Sequence, residues 1–327
     1  MSQLVTIFGG SGFVGRYITR RLAKDGWRVR VACRNPNEAM FVRTYGDVGQ
    51  VEPIFCNIRD DNSVRSATHG ADAVINCVGV LAETGKNTFD AVQAEAPGRI
   101  ARIAKEENVA RMIQISAIGA DKDADSDYAR TKALGEEAVV EYMPTAVILR
   151  PSIVFGPEDA FFNRFAGMSR MGPVLPVVGA DTLFQPVFVD DVAAAAVAAL
   201  DNPASRGVYE LGGPEVETFR NLMQTMLRVI GRKRMVVNIP FFVARMMGGG
   251  FDLLKKLTFG LVTPPLTADQ VRSLAVDNVV ADGARGFADL GIEPTALESV
   301  LPDYLWRFRP SGQYAAIKNS AKNLRQS

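Results

Sequence analysis

The sequence lacks the marks of several common function classes. Its three cysteines, Cys33, Cys56 and Cys77, are far apart, form no CxxC pair, and each fall in an apolar strand-like run. That pattern reads as buried free thiols in a reducing compartment and sets metal ligation aside. An excess of one charge sign is missing too. There are 37 Lys and Arg against 36 Asp and Glu, a formal charge of +1, so nothing in the balance points to nucleic acid as a partner. No apolar run reaches the length of a membrane span, and the first strand-like run begins at Leu4, which leaves no room for a signal or transit peptide. The expected location is therefore the cytosol or the inner face of a membrane. The 327 residues, 47% of them hydrophobic, suffice for one large domain or two unequal ones.

Apolar runs recur at Leu4 to Phe8, Val29 to Cys33, Val51 to Ile58, Ala73 to Val80, Arg111 to Ile118 and Ala146 to Leu149. Helical patterns lie between most of them, clearest at Gly12 to Asp25, Phe89 to Glu107 and Asp127 to Tyr142. Strand and helix in alternation predict an α/β fold, a doubly wound parallel sheet of the Rossmann type with helices on both faces. The ligand crevice of such a sheet lies at the carboxyl ends of its strands, so the residues following each run are the ones to inspect.

After the first run stands Gly9-Gly10-Ser11-Gly12-Phe13-Val14-Gly15, spaced GxxGxxG, and then an amphipathic helix with Ile18 and Leu22 inward and Arg16, Arg20, Arg21 and Lys24 outward. Glycines there let the backbone turn sharply and approach a pyrophosphate, with a helix N-terminus aimed at it. Gly9, Ser11, Gly12, Phe13, Val14 and Gly15 are thus dinucleotide-binding candidates. About twenty residues on, an NAD site usually carries an Asp or Glu for the ribose 2′-hydroxyl. This chain has no acid there, only Cys33-Arg34-Asn35. Arg34 can pair with a 2′-phosphate that a carboxylate would repel, and Arg16, beside the helix start, can assist, so the expected cofactor is NADP(H). At the ends of the third and fourth runs, Asn57 offers its amide oxygen to the adenine amino group, Ile58 packs on the ring, and Cys77, Val78 and Gly79 line the cofactor.

The fifth run delivers Ser116, and twelve positions later comes Tyr128-Ala129-Arg130-Thr131-Lys132. At i and i+4 on a helix, Tyr128 and Lys132 share a face, where the ammonium lowers the phenol pKa and holds the ribose hydroxyls. Ser116 would orient a substrate carbonyl, with Tyr128 as general acid or base during hydride transfer.

With these residues the chain resembles the short-chain dehydrogenase/reductase superfamily in its extended or atypical branch. The resemblance takes in the glycine loop, Ser116, Tyr128, Lys132 and the segment Leu149-Arg150-Pro151-Ser152-Ile153-Val154-Phe155-Gly156. It implies that Pro151, Ile153 and Val154 border the nicotinamide, with backbone near Pro151 and Val154 touching the carboxamide. It also makes Pro186-Val187-Phe188-Val189-Asp190-Asp191-Val192 an element that returns to the sheet and ties the small domain to it. Helix-end chemistry independently predicts that Asp190 or Asp191 caps the Ala-rich helix that follows.

The expected division is a cofactor-binding core over 1–160, joined by 186–212, then a smaller lobe over 161–306 and a basic tail over 307–327. In the lobe a strand is expected at Gly207 to Leu211 and a helix near Phe219 to Ile230. Between Arg228 and Lys256 seven basic residues (Arg228, Arg232, Lys233, Arg234, Arg245, Lys255, Lys256) face one acid, Asp252, and are interleaved with Phe241, Phe242, Met246, Met247 and Phe251. Arg307, Arg309, Lys318, Lys322 and Arg325 follow with no acid. Mixed basic and apolar character suits a membrane surface or a large protein interface, and the tail suits ordering by a partner.

Residues 156–165, 265–272 (Pro265 to Arg272), 277–280 (Asp277 to Val280) and 304–307 (Tyr304 to Arg307) narrow the resemblance to the nucleotide-binding accessory subunits of respiratory complex I, NADH:ubiquinone oxidoreductase, of mitochondria and alphaproteobacteria. That implies tightly bound NADPH with a structural or assembly role and no turnover, in a subunit at the junction of the peripheral and membrane arms. The implied partners are other complex I subunits and the inner-membrane surface. Without a presequence, a bacterial member on the cytoplasmic face fits. An active NADP-dependent oxidoreductase or epimerase using Ser116, Tyr128 and Lys132 is the open alternative.

Overall fold

The computed structural model describes residues 3–257, 266–310 and 312–314. In chain order, β1 (Leu4–Phe8), α1 (Phe13–Lys24), β2 (Arg28–Cys33), β3 (Val51–Phe55), α2 (Asp61–Thr68), β4 (Ala73–Asn76), α3 (Ala96–Glu106), β5 (Arg111–Ile115), α4 (Asp127–Tyr142) and β6 (Val147–Pro151) build the first part. There follow β7 (Val154–Phe155), α5 (Phe162–Met168), β8 (Val174–Val178), β9 (Leu183–Phe184), β10 (Val187–Phe188), α6 (Val189–Asp201) and β11 (Gly207–Leu211). The chain then continues through β12 (Glu217–Thr218), α7 (Phe219–Val229), β13 (Met235–Ile239), α8 (Phe241–Leu257), α9 (Ala268–Ser273) and α10 (Leu297–Leu305).

Seven strands form one parallel sheet in the order β3-β2-β1-β4-β5-β6-β11. Strand order reverses between β1 and β4, and that switch point opens a crevice at the carboxyl ends of the strands. Because both faces are covered, the strands read as continuous apolar runs. Val5, Ile7, Val31, Ile75 and Leu149 are all essentially buried, each such side chain contributing about 1.5–3 kcal/mol of transfer free energy. The strand runs at 51–58, 73–80 and 111–118 end sooner than their apolar character predicts, at Phe55, Asn76 and Ile115. The surplus residues leave the ladder at the carboxyl edge of the sheet.

The helical pattern from Phe89 to Glu107 splits into a wide π-turn at Asp90–Glu95 and α3. A Cβ at Gly135 of α4 would lie 2.0 Å from the Gln93 carbonyl oxygen, so only glycine lets the two helices meet there.

A second core lies in the lobe, where Phe155, Phe162, Phe219, Leu222, Met226 and Leu301 pack together and the Phe161 ring stacks on Phe219 at 5.5 Å. The lobe also touches the sheet. Phe287 packs into the sheet's core, and the Glu210 N–H of β11 donates to the Arg285 carbonyl at 2.8 Å.

Two sequence expectations need correction. Cys56 is buried, but Cys33 and Cys77 are only half-buried because they stand at strand ends, where the sheet gives way to the crevice. Neither Asp190 nor Asp191 caps α6. Both sit in its first turn, where Asp190 takes a bidentate contact from Arg21 at 2.8 and 2.9 Å and Asp191 accepts from the Thr295 N–H at 2.6 Å. Carboxylates there still complement the helix dipole while tying α1 and the lobe to α6. Arg16 and Arg21 point away from the core as expected, and each meets a carboxylate of another segment, Glu158 at 3.4 Å and Asp190 at 2.8 Å. Of the basic tail, Arg307 bonds Asn163 Oδ1 at 2.5 Å and Arg309 bonds the Val229 carbonyl at 3.0 Å, while Lys318, Lys322 and Arg325 lie outside the described residues.

Candidate cofactor site

The glycine loop turns between β1 and α1 with Gly9 at φ +75°, a left-handed conformation that disfavours any side chain. Its ends are fixed by Gly9 N–H to the Ala32 carbonyl (2.9 Å) and Gly12 N–H to the Gly9 carbonyl (2.9 Å). Gly12 precedes α1 and supplies no side-chain cap. The first amide groups of the helix, at Phe13 and Val14, therefore face the crevice as donors for an anion. At Gly15 a Cβ would lie 2.2 Å from the Gly9 oxygen, so α1 crosses β1 at backbone contact.

Arg16 bonds the Ser11 and Gly12 carbonyls at 3.2 Å, lies 4.9 Å from the Phe41 ring centroid, and faces Glu158 at 3.4 Å. Arg34 is exposed at the end of β2, with no hydrogen bond or ion pair among the described residues. Asn57 differs from expectation: its Oδ1 already accepts from the Arg59 backbone N–H at 3.2 Å and from Arg59 Nε at 3.4 Å, and among the described residues its amide nitrogen is the unengaged group. Ile58 is partly buried over the α2–α3 core. Asn76 Oδ1 accepts from the Val78 N–H at 3.1 Å and so shapes the Cys77-Val78-Gly79 turn, where a Cβ on Gly79 would stand 3.4 Å from Lys132 Nζ.

Tyr128 and Lys132 do share a face of α4, with Lys132 Nζ 5.9 Å from the Tyr128 ring centroid. The electrostatics run against expectation. Burial pushes the Tyr128 phenol up to about 12, and no lowering by the ammonium offsets it. Lys132 itself is pushed down to about 8 by burial, with Glu136 pulling the other way, and it donates to the Ile115 carbonyl at 3.4 Å. Desolvation is the largest effect on both groups, and it moves each toward its neutral form.

Ser116 is also placed differently. Its hydroxyl donates to Glu136, which is buried one turn beyond Lys132 on the same face, and Glu136 is in turn paired with Arg150 at 2.7 Å. Arg150 extends the chain to Glu210 at 3.5 Å. A buried carboxylate needs such partners, and their demand takes the serine's one donor away from any substrate carbonyl. Glu136 and Arg150 escaped sequence reading as site residues; the only signal was that Glu136 follows Lys132 by four positions.

Pro151 ends β6, and Ile153 and Val154 stand half-exposed beyond it. Asn278, from the far end of the chain, holds this wall: its Oδ1 accepts from Ser152 Oγ (2.7 Å) and the Ile153 N–H (3.1 Å).

A parallel sheet with a switch-point crevice, a glycine cradle and a Tyr-Lys face defines a dinucleotide-binding protein of the NAD(P) type, and the chain belongs to the NAD dependent epimerase/dehydratase family, whose model matches residues 5–212. More particular likenesses extend further along it. It is 37% identical over 316 residues to NADH dehydrogenase (ubiquinone) 1 alpha subcomplex subunit 9, mitochondrial, of Arabidopsis thaliana, covering 94% of this chain and 79% of that protein. It is 31% identical over 323 residues to the mitochondrial NADH-ubiquinone oxidoreductase 40 kDa subunit of Neurospora crassa, covering 98% and 84%. Among solved structures, the NADPH-dependent quinone oxidoreductase QOR2 of Escherichia coli, complexed with NADPH, superposes with a TM-score of 0.71 at 18% identity, covering 91% of this chain and 99% of that one. That last likeness is one of fold.

One pH dependence follows from Lys132. An ammonium placed to hold ribose hydroxyls would do so in its protonated form, and burial lowers the Lys132 pKa to about 8. Dinucleotide affinity is expected to be full below that pH and to fall as pH rises through it. Lys132→Met should bind more weakly but with a flat profile between about pH 7 and 9, by fluorescence titration. A profile unchanged by the substitution would assign the titration to another group.

Proposed function

We propose that this chain is an NADPH-binding accessory subunit of respiratory complex I, in which the dinucleotide supports structure or assembly and is not turned over. One observation carries the reading. The likeness to the complex I subunits runs over 94% of the chain, through the C-terminal lobe, well past the 5–212 portion common to the wider family. The geometry agrees, since the Ser116 hydroxyl is committed to Glu136. NADPH over NADH is supported by Arg34, unpaired among the described residues where an acid would otherwise read the ribose, with Arg16 at the helix start. The bound group is held by the 9–16 loop, Arg34, the 57–58 and 77–79 turns, Lys132 and the 151–154 wall.

The partners in this reading are neighbouring complex I subunits and the membrane surface, at the cytoplasmic face of a bacterial inner membrane or its matrix-side equivalent. Phe242, Met246 and Met247 of α8 are exposed beside Arg245, and Met235 and Val237 of β13 are exposed too. Apolar surface next to basic side chains suits an interface of this kind. Among the described residues no helix is long and apolar enough to cross a membrane.

Tyr128→Phe tests the absence of turnover. NADPH content and NADH:quinone reductase activity of the host membranes should both stay within about twofold of wild type, because the hydroxyl makes no hydrogen bond among the described residues. Lost activity with the cofactor retained would favour the reductase or epimerase reading.

A further inference from the structure

The two late segments that set this chain apart in sequence, around Asp269 and Asn278, meet at the crevice. We propose that residues 267–280 form a strap that retains the nicotinamide half of the bound dinucleotide, a proposal that rests on the cofactor reading above. The strap is anchored to both walls. On one side Asp269 accepts from the Asp127 N–H (2.6 Å), the Tyr128 N–H (3.2 Å) and Ser126 Oγ (3.3 Å). It thereby satisfies the first amide groups of α4, the turn that carries Tyr128, which that helix cannot satisfy itself. The next residue, Gln270, donates through Nε2 to the Leu81 carbonyl at 3.3 Å, in the loop after β4. Two consecutive residues of α9 thus bridge the gap between the β4 loop and α4, and a capping box of Thr267 with Gln270 fixes that short helix.

In the middle the strap is pinned to the lobe, with Thr182 Oγ1 donating to the Leu274 carbonyl at 2.8 Å and the Leu183 N–H donating to Asp277 Oδ1 at 2.8 Å. At the far end Asn278 holds the opposite wall through Ser152 and Ile153, and its Nδ2 donates to the Ile118 carbonyl at 3.4 Å. Tyr128, Leu81 and the 151–153 turn are the walls between which a nicotinamide would stand. A strap tied to all three must detach at one end before that half of the ligand leaves. The adenosine half, at Arg34 and Asn57, lies beyond these anchors. The strap would make the cofactor a long-lived resident and close the site to a second substrate.

The test uses full-length protein loaded with NADPH and then chased with excess NADP+, release being followed by the loss of NADPH fluorescence. The double variant Asp269→Ala/Gln270→Ala is expected to release NADPH about tenfold faster or more, since such changes act on off-rates. Release of 2′,5′-ADP, which keeps the adenine and the 2′-phosphate but lacks the nicotinamide, should stay within about twofold of wild type. Asn278→Ala leaves the α4 cap intact and should give the same split. Wild-type rates in both variants would overturn the strap, as would equal acceleration of NADPH and 2′,5′-ADP, the mark of a generally loosened fold. Wild-type protein that takes up no NADPH would instead overturn the cofactor reading.

Discussion

Gly15→Val is expected to leave the protein without nucleotide and to lower its thermal midpoint by about 6–12 °C, from a destabilisation of about 3 kcal/mol in a domain of this size. The reason is the crossing of α1 over β1. A Cβ at Gly15 would stand 2.2 Å from the Gly9 oxygen and 2.7 Å from the Gly10 Cα, and both neighbours are backbone that cannot swing aside. Relief requires α1 to lift from the sheet, which pulls apart the packing of Ile18 and Leu22 and unmakes the turn that aims the amide groups of Phe13 and Val14. Loss of ligand adds to loss of packing, because a ligand that binds only the folded state stabilises it by mass action. Gly12→Val separates the two effects. There a Cβ would meet only the Gly9 oxygen, at 3.1 Å, so the apo fold should be less affected while the branched side chain blocks close approach of a pyrophosphate. Thermal melts with and without added NADPH, together with the nucleotide content of the purified variants, measure both. A Gly15→Val protein that melts normally and keeps its nucleotide would contradict the cradle.

Arg34→Glu should weaken NADPH binding by about 100-fold and change NADH binding by no more than about threefold. The wild-type guanidinium has no protein partner among the described residues, so little else depends on it and the variant should fold as before. A glutamate at that point repels a 2′-phosphate and offers an acceptor to a 2′-hydroxyl, reversing the preference from both sides. Titration with each reduced dinucleotide reads the ratio. Equal weakening of both would mean that Arg34 does not read the 2′-phosphate, and Arg16 would be the cation left to do so.

Part of this was legible in the sequence. The β1–loop–α1 unit and the shared face of Tyr128 and Lys132 were legible because each rests on spacing within one element. Which way Ser116 points was not, because it is decided by Glu136 and Arg150 from two other elements, whose buried charges compete for its hydroxyl. The same holds for the phenol of Tyr128: spacing places a lysine nearby, but burial sets both proton affinities. Asp190 and Asp191 read as caps because acids gather at helix starts, yet their partners, Arg21 and Thr295, are contributed by distant segments. Asp269 and Asn278 bond residues more than a hundred positions away, and no local pattern announces that.

The central claim is that this chain is a resident subunit of the quinone reductase and carries a fixed NADPH. Its most direct test is native electrophoresis of detergent-solubilised membranes from the source organism, probed for this chain, with the nucleotide in its band identified by mass. The account predicts comigration with NADH:ubiquinone oxidoreductase activity and a stoichiometric NADPH. A chain that runs free of the complex as a soluble enzyme oxidising NADPH would contradict it.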